Sequence, residues 1–218
     1  MANFTNRDLS DVDFRGAHQW SAHQYGLGSY TDGHPEIRLT NALFTGAALD
    51  GSKLCEAIGD YVCFCGTSME KADLTWGVLS AVCFDDASLC SADFRGARLP
   101  YSSFSNTDLS DARFDHAALI GSCFSGIKTS SGTTFTDANL TNVCFRDTNL
   151  RHLLGSSQVL FPGSVVRGAD FRVYQTIAGA RLPQLVRVDL LSRGAIVDLP
   201  SEEDWDDAAF YEGYLEKK

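Results

Sequence analysis

Cations are scarce in this chain: 18 lysines and arginines stand against 28 aspartates and glutamates, a formal net charge of −10 over 218 residues. That deficit argues against a general nucleic-acid or membrane-surface binder, because both rely on basic patches. Long apolar runs are missing too. None approaches the roughly 18 residues that would span a bilayer, and the opening MANFTNRDLS lacks the apolar core of a signal peptide, so a cytoplasmic protein is expected. The 7 cysteines form no CxxC pair, and their odd number fits reduced cytosolic thiols better than a disulfide framework or a zinc site. Also absent are GxSxG, a Walker-type phosphate loop and HExxH. We therefore assign no catalytic residue, no cofactor and no metal, and read the chain as a non-enzyme.

What is present is a period. From Phe94 a large apolar residue returns at every fifth position: Leu99, Phe104, Leu109, Phe114, Leu119 and Phe124. The register extends back through Phe4, Leu9 and Phe14, and through Leu39, Phe44, Leu49, Leu54, Phe64, Met69, Leu74, Leu79, Phe84 and Leu89, with Gly59 as its one exception after Leu39. A helix repeats near 3.6 and a strand at 2, so neither produces a five. Two residues before most centres stands a small one, such as Ala42, Ala92, Ser102 or Thr107. In an extended segment these two point the same way, so each five supplies one small and one large inward side chain. Because five is odd, alternation alone would turn the next pair outward. A bend in every five restores it, and repeated bends coil the chain into a solenoid.

The identity of the large residues gives the turn length. At a spacing of twenty, Phe44, Phe64, Phe84, Phe104 and Phe124 form one column, and Leu79, Leu99 and Leu119 another. Fifteen or twenty-five would mix the two types, so four fives make one square turn. Cys63, Cys83 and Cys123, with Ser103 between, repeat at that spacing on an outward position and read as an inert surface row.

Two breaks interrupt the coil. Between Phe14 and Leu39 lie twenty residues more than one face requires, with His18, Trp20, His23, Tyr25, Tyr30 and His34 among them, so a loop is expected over about 17–37 in the first coil. Around 125–134 the register resumes one residue late. A single insertion there returns Leu140 to the leucine column, Phe145 to the phenylalanine column and Cys144 to the cysteine row. After Leu150 the register fades. LPQLVRVDLLSRG reads as a helix, with Pro183 near its start and Gly194 just past its end, suited to capping an open coil. AIVDL reads as a short strand, and SEEDWDDAAFYEGYLEKK as an acidic helix with Ser201 as N-cap.

ADFRG at 92–96, TDLSD at 107–111, ANLTN at 138–142 and DFRGA at 13–17 resemble the A(D/N)LXX motif of the pentapeptide-repeat family. The resemblance covers about residues 2–182. It implies an all-β, right-handed quadrilateral β-helix, here of about eight coils over 1–182, followed by a C-terminal helical module over 183–218. Members of that family with assigned roles mostly protect DNA gyrase or topoisomerase IV from poisons, by DNA-like shape and charge, by projecting loops and by dimerising through their C-terminal ends. For this chain the resemblance implies gyrase or topoisomerase IV as partner and a homodimer through the C-terminal region. The expected partner contacts are the loop residues Trp20, His23, Tyr25, Tyr30 and Lys128, with Trp205, Tyr211 and Leu215 as tail or dimer contacts. The alternative reading is a general protein-interaction scaffold. A metal site in the first loop, from His18, His23, His34 and Asp32, has spacing that matches no helix or ribbon geometry, and solvated histidines are the better reading.

Overall fold

The computed structural model describes residues 2–10, 28–31, 34–153, 160–172 and 182–197. The bend the five-residue register requires is a hydrogen-bonded turn. In most fives the N–H of the small residue donates to the carbonyl of the preceding large one, as Ala47 to Phe44 (2.8 Å) and Ala97 to Phe94 (3.0 Å). The residue just before that donor takes a positive φ, as Gly46 (65°) and Gly96 (68°) do. Asn, Asp and Gly fill many of these corners because they tolerate the left-handed region with little strain.

Between corners the chain is extended and pairs with the coils on either side. Phe64 donates to the carbonyl of Cys83 (2.7 Å), and Cys83 to that of Val62 (3.0 Å), a parallel ladder. The bridges advance by twenty, as in Leu43↔Cys63, Cys63↔Cys83 and Cys83↔Ser103. Four faces result, named here from the Phe44 column onward. The first carries Phe44, Phe64 and Phe84, the second Leu49, Met69 and Leu89, the third Leu54, Leu74 and Phe94, the fourth Leu39, Leu79 and Leu99, all buried. One bridge row on the first face runs from Asn3 to Ile196 through eight successive bridges. At ~4.8 Å per step that row is about 38 Å long.

The core is a stack of rings. Centroids follow one another at 4.9 Å from Phe4 to Phe44, 4.9 Å to Phe64, 5.2 Å to Phe84, 4.8 Å to Phe104 and 4.5 Å to Phe124. Phe94 and Phe114 meet this column edge-on from the third face. Gly59 stands where the fourth face expects a large side chain, because a Cβ there would lie 3.0 Å from the backbone of Leu39 and Thr40. Buried hydroxyls tie coil to coil: Thr107 donates to the Phe84 carbonyl (2.8 Å), Ser122 to Leu99 (2.7 Å) and Thr148 to Phe124 (2.9 Å).

The single extra residue falls between Lys128 and Thr134. Asp108↔Lys128 still steps by twenty, whereas Arg113↔Thr134 and Cys123↔Cys144 step by twenty-one. Later steps widen to twenty-six, at Cys144↔Asp170 and again at Asp170↔Ile196. The first wide step contains a short 3₁₀ turn, Arg151–Leu153, and the second a helix, α1, Gln184–Ser192. α1 buries Val186, Arg187 and Leu190 and ends in a Schellman turn. Gly194 (φ 81°) donates to Leu191 (3.0 Å) and Ala195 to Leu190 (2.9 Å).

Three expectations need correction. The segment 17–37 is not wholly loop: Gly28–Thr31 (β1) and His34–Ile37 (β2) form an antiparallel hairpin, since extended backbone carrying polar groups is satisfied by pairing with itself. The coil does not end at 182. Ile196 pairs with Asp170, and Ala195 and Val197 belong to the same apolar core, so α1 is an insertion within a turn. The cysteines are not all reduced: Cys65 and Cys83, on adjacent coils, form a disulfide with Cα atoms 5.8 Å apart. Twenty-residue stacking brings these side chains together although eighteen positions separate them. Phe14 and the acidic tail with Trp205, Tyr211 and Leu215 lie outside the described residues.

Candidate protein-interaction face

Corner positions suit small or polar residues, yet three of them hold large aromatics: Tyr61 (φ 57°), Trp76 (φ 60°) and Tyr101 (φ 59°). Bulky residues at positive φ are uncommon and cost local strain. Burial does not compensate, because Tyr61 is 68%, Trp76 64% and Tyr101 69% exposed. Glycines in the next coil make room for two of these rings. A Cβ on Gly96 would lie 2.5 Å from the Trp76 indole, and one on Gly121 would lie 2.8 Å from the Tyr101 ring. Each ring therefore lies along its corner, across the coil that follows.

These corners bound the fourth face. Trp76 stands on the edge shared with the third face, and Tyr61 and Tyr101 on the edge shared with the first. Between them run β3, Ile58–Asp60, and β4, Val78–Ser80, a parallel pair in which Ile58 lies beside Val78. Both side chains are exposed, at 37% and 46%. The outward bridge row on this face reads Arg38, Ile58, Val78, Arg98, Ala118, Asn139, Val165. The second outward row reads Thr40, Asp60, Ser80, Pro100, Ile120, Thr141, Arg167. Of the eight exposed large apolar residues among the described ones, six lie on this face or its corners: Ile58, Tyr61, Trp76, Val78, Tyr101 and Val165. Its two rows hold three arginines and one carboxylate, although the whole chain carries −10. Aromatic and arginine side chains around an aliphatic centre make up the energetically dominant part of many protein interfaces.

The other faces differ. The second carries Asp50, Glu70, Asp108 and Lys128, and the third Asp73, Asp93, Arg95, Arg113 and Asp115. The first carries five of the seven cysteines, Cys63, Cys65, Cys83, Cys123 and Cys144. Cys63 Sγ lies 3.2 Å from Cys65 Sγ, and Cys123 faces Cys144 across one coil step. A hydrogen bond from the Cys144 thiol, aided by Ser125 and Ser105, outweighs burial and holds Cys123 down at about 5. The same contact, together with burial, pushes Cys144 up. Near the end of this face Asp170 accepts from Arg146 (2.5 Å) and Arg172 (2.8 Å). Burial pushes its carboxyl up, but the bonds from Arg172 and Arg146 together prevail and hold it at about 2.

The sequence-derived contact set is not brought together. Lys128 is exposed on the second face, opposite the fourth. Tyr30 falls on β1 of the hairpin, and β2 runs at Ile37 directly into Arg38, the first residue of the fourth-face row. Trp20, His23 and Tyr25 lie outside the described residues, as do His18 and Asp32. Tyr61, Trp76 and Tyr101 were missed. The signal that reveals them is an aromatic two residues after a register centre, where the turn requires a positive φ. Among the described residues no helix is long and apolar enough to cross a membrane.

A family model described as pentapeptide repeats matches the chain in 8 copies, over residues 37–75, 83–126 and 130–151. No curated protein matches the sequence. Among solved structures the chain is similar to a trypsin-treated form of QnrB1, a plasmid-mediated fluoroquinolone resistance protein, at 14% identity and a TM-score of 0.47, over 90% of each chain. It is also similar to Rfr23, a pentapeptide-repeat protein of the cyanobacterium Cyanothece 51142, at 19% identity and a TM-score of 0.39, over 62% of this chain and 84% of that one. A third, from the Arabidopsis thaliana thylakoid lumen, shares 27% identity at a TM-score of 0.32, over 66% of this chain and 88% of that one.

Proposed function

The chain belongs to the pentapeptide-repeat family, and on that premise we propose that it is a non-catalytic rod that binds a protein partner through its fourth face. The observation that carries this reading is the gathering of Tyr61, Trp76, Tyr101, Ile58 and Val78 on one exposed face, three of them in backbone conformations that folding alone would give to Asn or Gly. A coil interior filled by stacked phenylalanine and leucine supports a role carried by surface rather than by a pocket. The hairpin leads directly into Arg38, the first residue of the outward row on this face.

We infer DNA gyrase or topoisomerase IV as the partner to test first. What supports it is family membership together with the net charge of −10, which favours encounter with the basic surfaces of a DNA-handling enzyme. The alternative is a scaffold for another protein, favoured by the near absence of carboxylates on the fourth face, where a DNA mimic would concentrate them. A gyrase supercoiling assay with and without a cleavage-stabilising poison separates the two. Restored supercoiling by the wild-type chain, lost in Val78→Asp and Trp76→Asn, supports protection through this face. No effect on either enzyme, whichever poison is used, removes the topoisomerase reading. Restoration that survives both substitutions removes the face.

A further inference from the structure

We propose that Cys63, Cys65 and Cys83, once reduced, form a three-thiolate site for one soft metal ion of the Cu(I) class. The three sulfurs lie within 4.8 Å of one another on the first face, each partly buried. Cys63 and Cys65 flank the inward Phe64 on one coil, and Cys83 pairs with Cys63 from the next, so a flat ladder holds the donors without any loop rearrangement. Three thiolates converging from one side suit a trigonal soft ion, and thiolate sulfur selects Cu(I) and related ions over hard cations.

Packing does not require sulfur at these places. Two coils beyond Cys63 and Cys65, Ser103 and Ser105 occupy the equivalent outward positions; the Ser103 hydroxyl donates to Asp85 at 2.5 Å, and the two hydroxyls lie 3.2 Å apart. Nor does the coil need a covalent tie at this level, since Phe64 to Cys83 and Cys83 to Val62 already close the ladder at 2.7 and 3.0 Å. Cys63 is the residue that a purely structural disulfide leaves unexplained. It remains a thiol beside the Cys65–Cys83 bond, with the Thr45 hydroxyl at 3.3 Å.

The site has two mutually exclusive states. In one, Cys65 and Cys83 share a disulfide and only Cys63 is available. In the other, a reductant opens that bond with two electrons: either a thiol pair that gives up its own protons and becomes a disulfide, or a phosphine that becomes its oxide, with water supplying the oxygen and the two protons. The ion then displaces the thiol protons of all three residues. Metal capacity is therefore gated by redox state. This assignment is independent of the partner reading, since it concerns the first face and is read by metal uptake.

The test uses the full chain carrying Cys123→Ser and Cys144→Ser, which silences the other facing pair. The protein is reduced with a phosphine, desalted under anaerobic conditions and titrated with Cu(I) against a chromophoric chelator. One ion per chain should be withheld from the chelator, with a near-ultraviolet thiolate-to-metal absorption. The oxidised protein should withhold none. Cys63→Ser should lose at least tenfold in affinity, while thiol counting after oxidation shows that Cys65 and Cys83 still pair, which reports an intact fold. Absence of stoichiometric uptake by the reduced protein, or uptake unchanged in Cys63→Ser, would overturn the proposal.

Discussion

Ser52 stands in the column of small inward residues whose next members are Ala72, Ala92 and Ala112. Its hydroxyl is buried and, unlike those of Thr107 and Ser122, bonds no carbonyl of a neighbouring coil. A buried hydroxyl without a partner costs about 1–3 kcal/mol. Ser52→Ala should therefore stabilise the fold by about 1 kcal/mol, read as a higher denaturation midpoint at unchanged slope. Phe104 is the opposite case. Rings stack on both its sides, at 4.8 and 4.5 Å, and Phe94 and Phe114 meet its edge. Phe104→Ala should cost about 3–5 kcal/mol, the range for a fully buried aromatic whose cavity cannot close. Trp76 separates stability from function. Asn tolerates φ 60° better than Trp does, so Trp76→Asn should shift stability by no more than about 0.5 kcal/mol while weakening partner binding.

At the scale of elements, α1 closes the last turn through one side chain. The Arg193 guanidinium donates to the carbonyls of Leu160, Phe161 and Ser164 at 2.9, 2.9 and 2.8 Å, and to Asp189 at 2.9 Å. Those three carbonyls belong to the coil just below α1. Arg193→Ala should expose them, cost about 2–3 kcal/mol and raise amide exchange in α1 before the rest of the coil. The Asp170 cluster adds a pH dependence. Its folded carboxyl is held at about 2, below the ordinary 3.8, so its contribution is complete above pH 4 and is lost as pH falls toward 2. Asp170→Asn should lower stability at pH 7 and flatten the decline between pH 4 and 2, measured by thermal melts across that window.

The whole molecule is one-dimensional: each coil touches the coils on either side, and stability accumulates through nearest-neighbour interfaces. The coils from Leu39 to Phe124 follow one another without insertion, whereas the steps beyond Lys128 are widened by one and then by six residues. Amide exchange should accordingly be slowest at Phe64, Phe84 and Phe104 and faster at Phe4, Phe145 and Phe171. Uniform protection from Phe4 to Phe171 would argue instead for a single cooperative unit. Charge is also distributed at this scale. The second and third faces carry most of the described carboxylates of the central coils, which leaves the fourth face as an apolar strip with arginines on an acidic body.

Spacing alone determined the period, the twenty-residue turn and one extra residue within 125–134, because a side chain's inward or outward direction follows from local backbone geometry and repeats with it; the bridge register then placed that residue between Lys128 and Thr134. The helix at 184–192 was legible for the same reason, from Pro183 and Gly194 at its ends. Tertiary structure decided what depends on neighbours distant in sequence. The return of Ala195–Val197 to the coil rests on core space that only the stacked turns define. The Cys63, Cys65 and Cys83 cluster arises because ladder pairing sets one coil's outward row against the next, closely enough for sulfur to meet sulfur. Tyr61, Trp76 and Tyr101 became a site only when the corners were seen exposed, with glycines beneath two of the rings. A five-residue register reports which side chains point inward, but it does not report how much of an outward ring the next coil leaves uncovered.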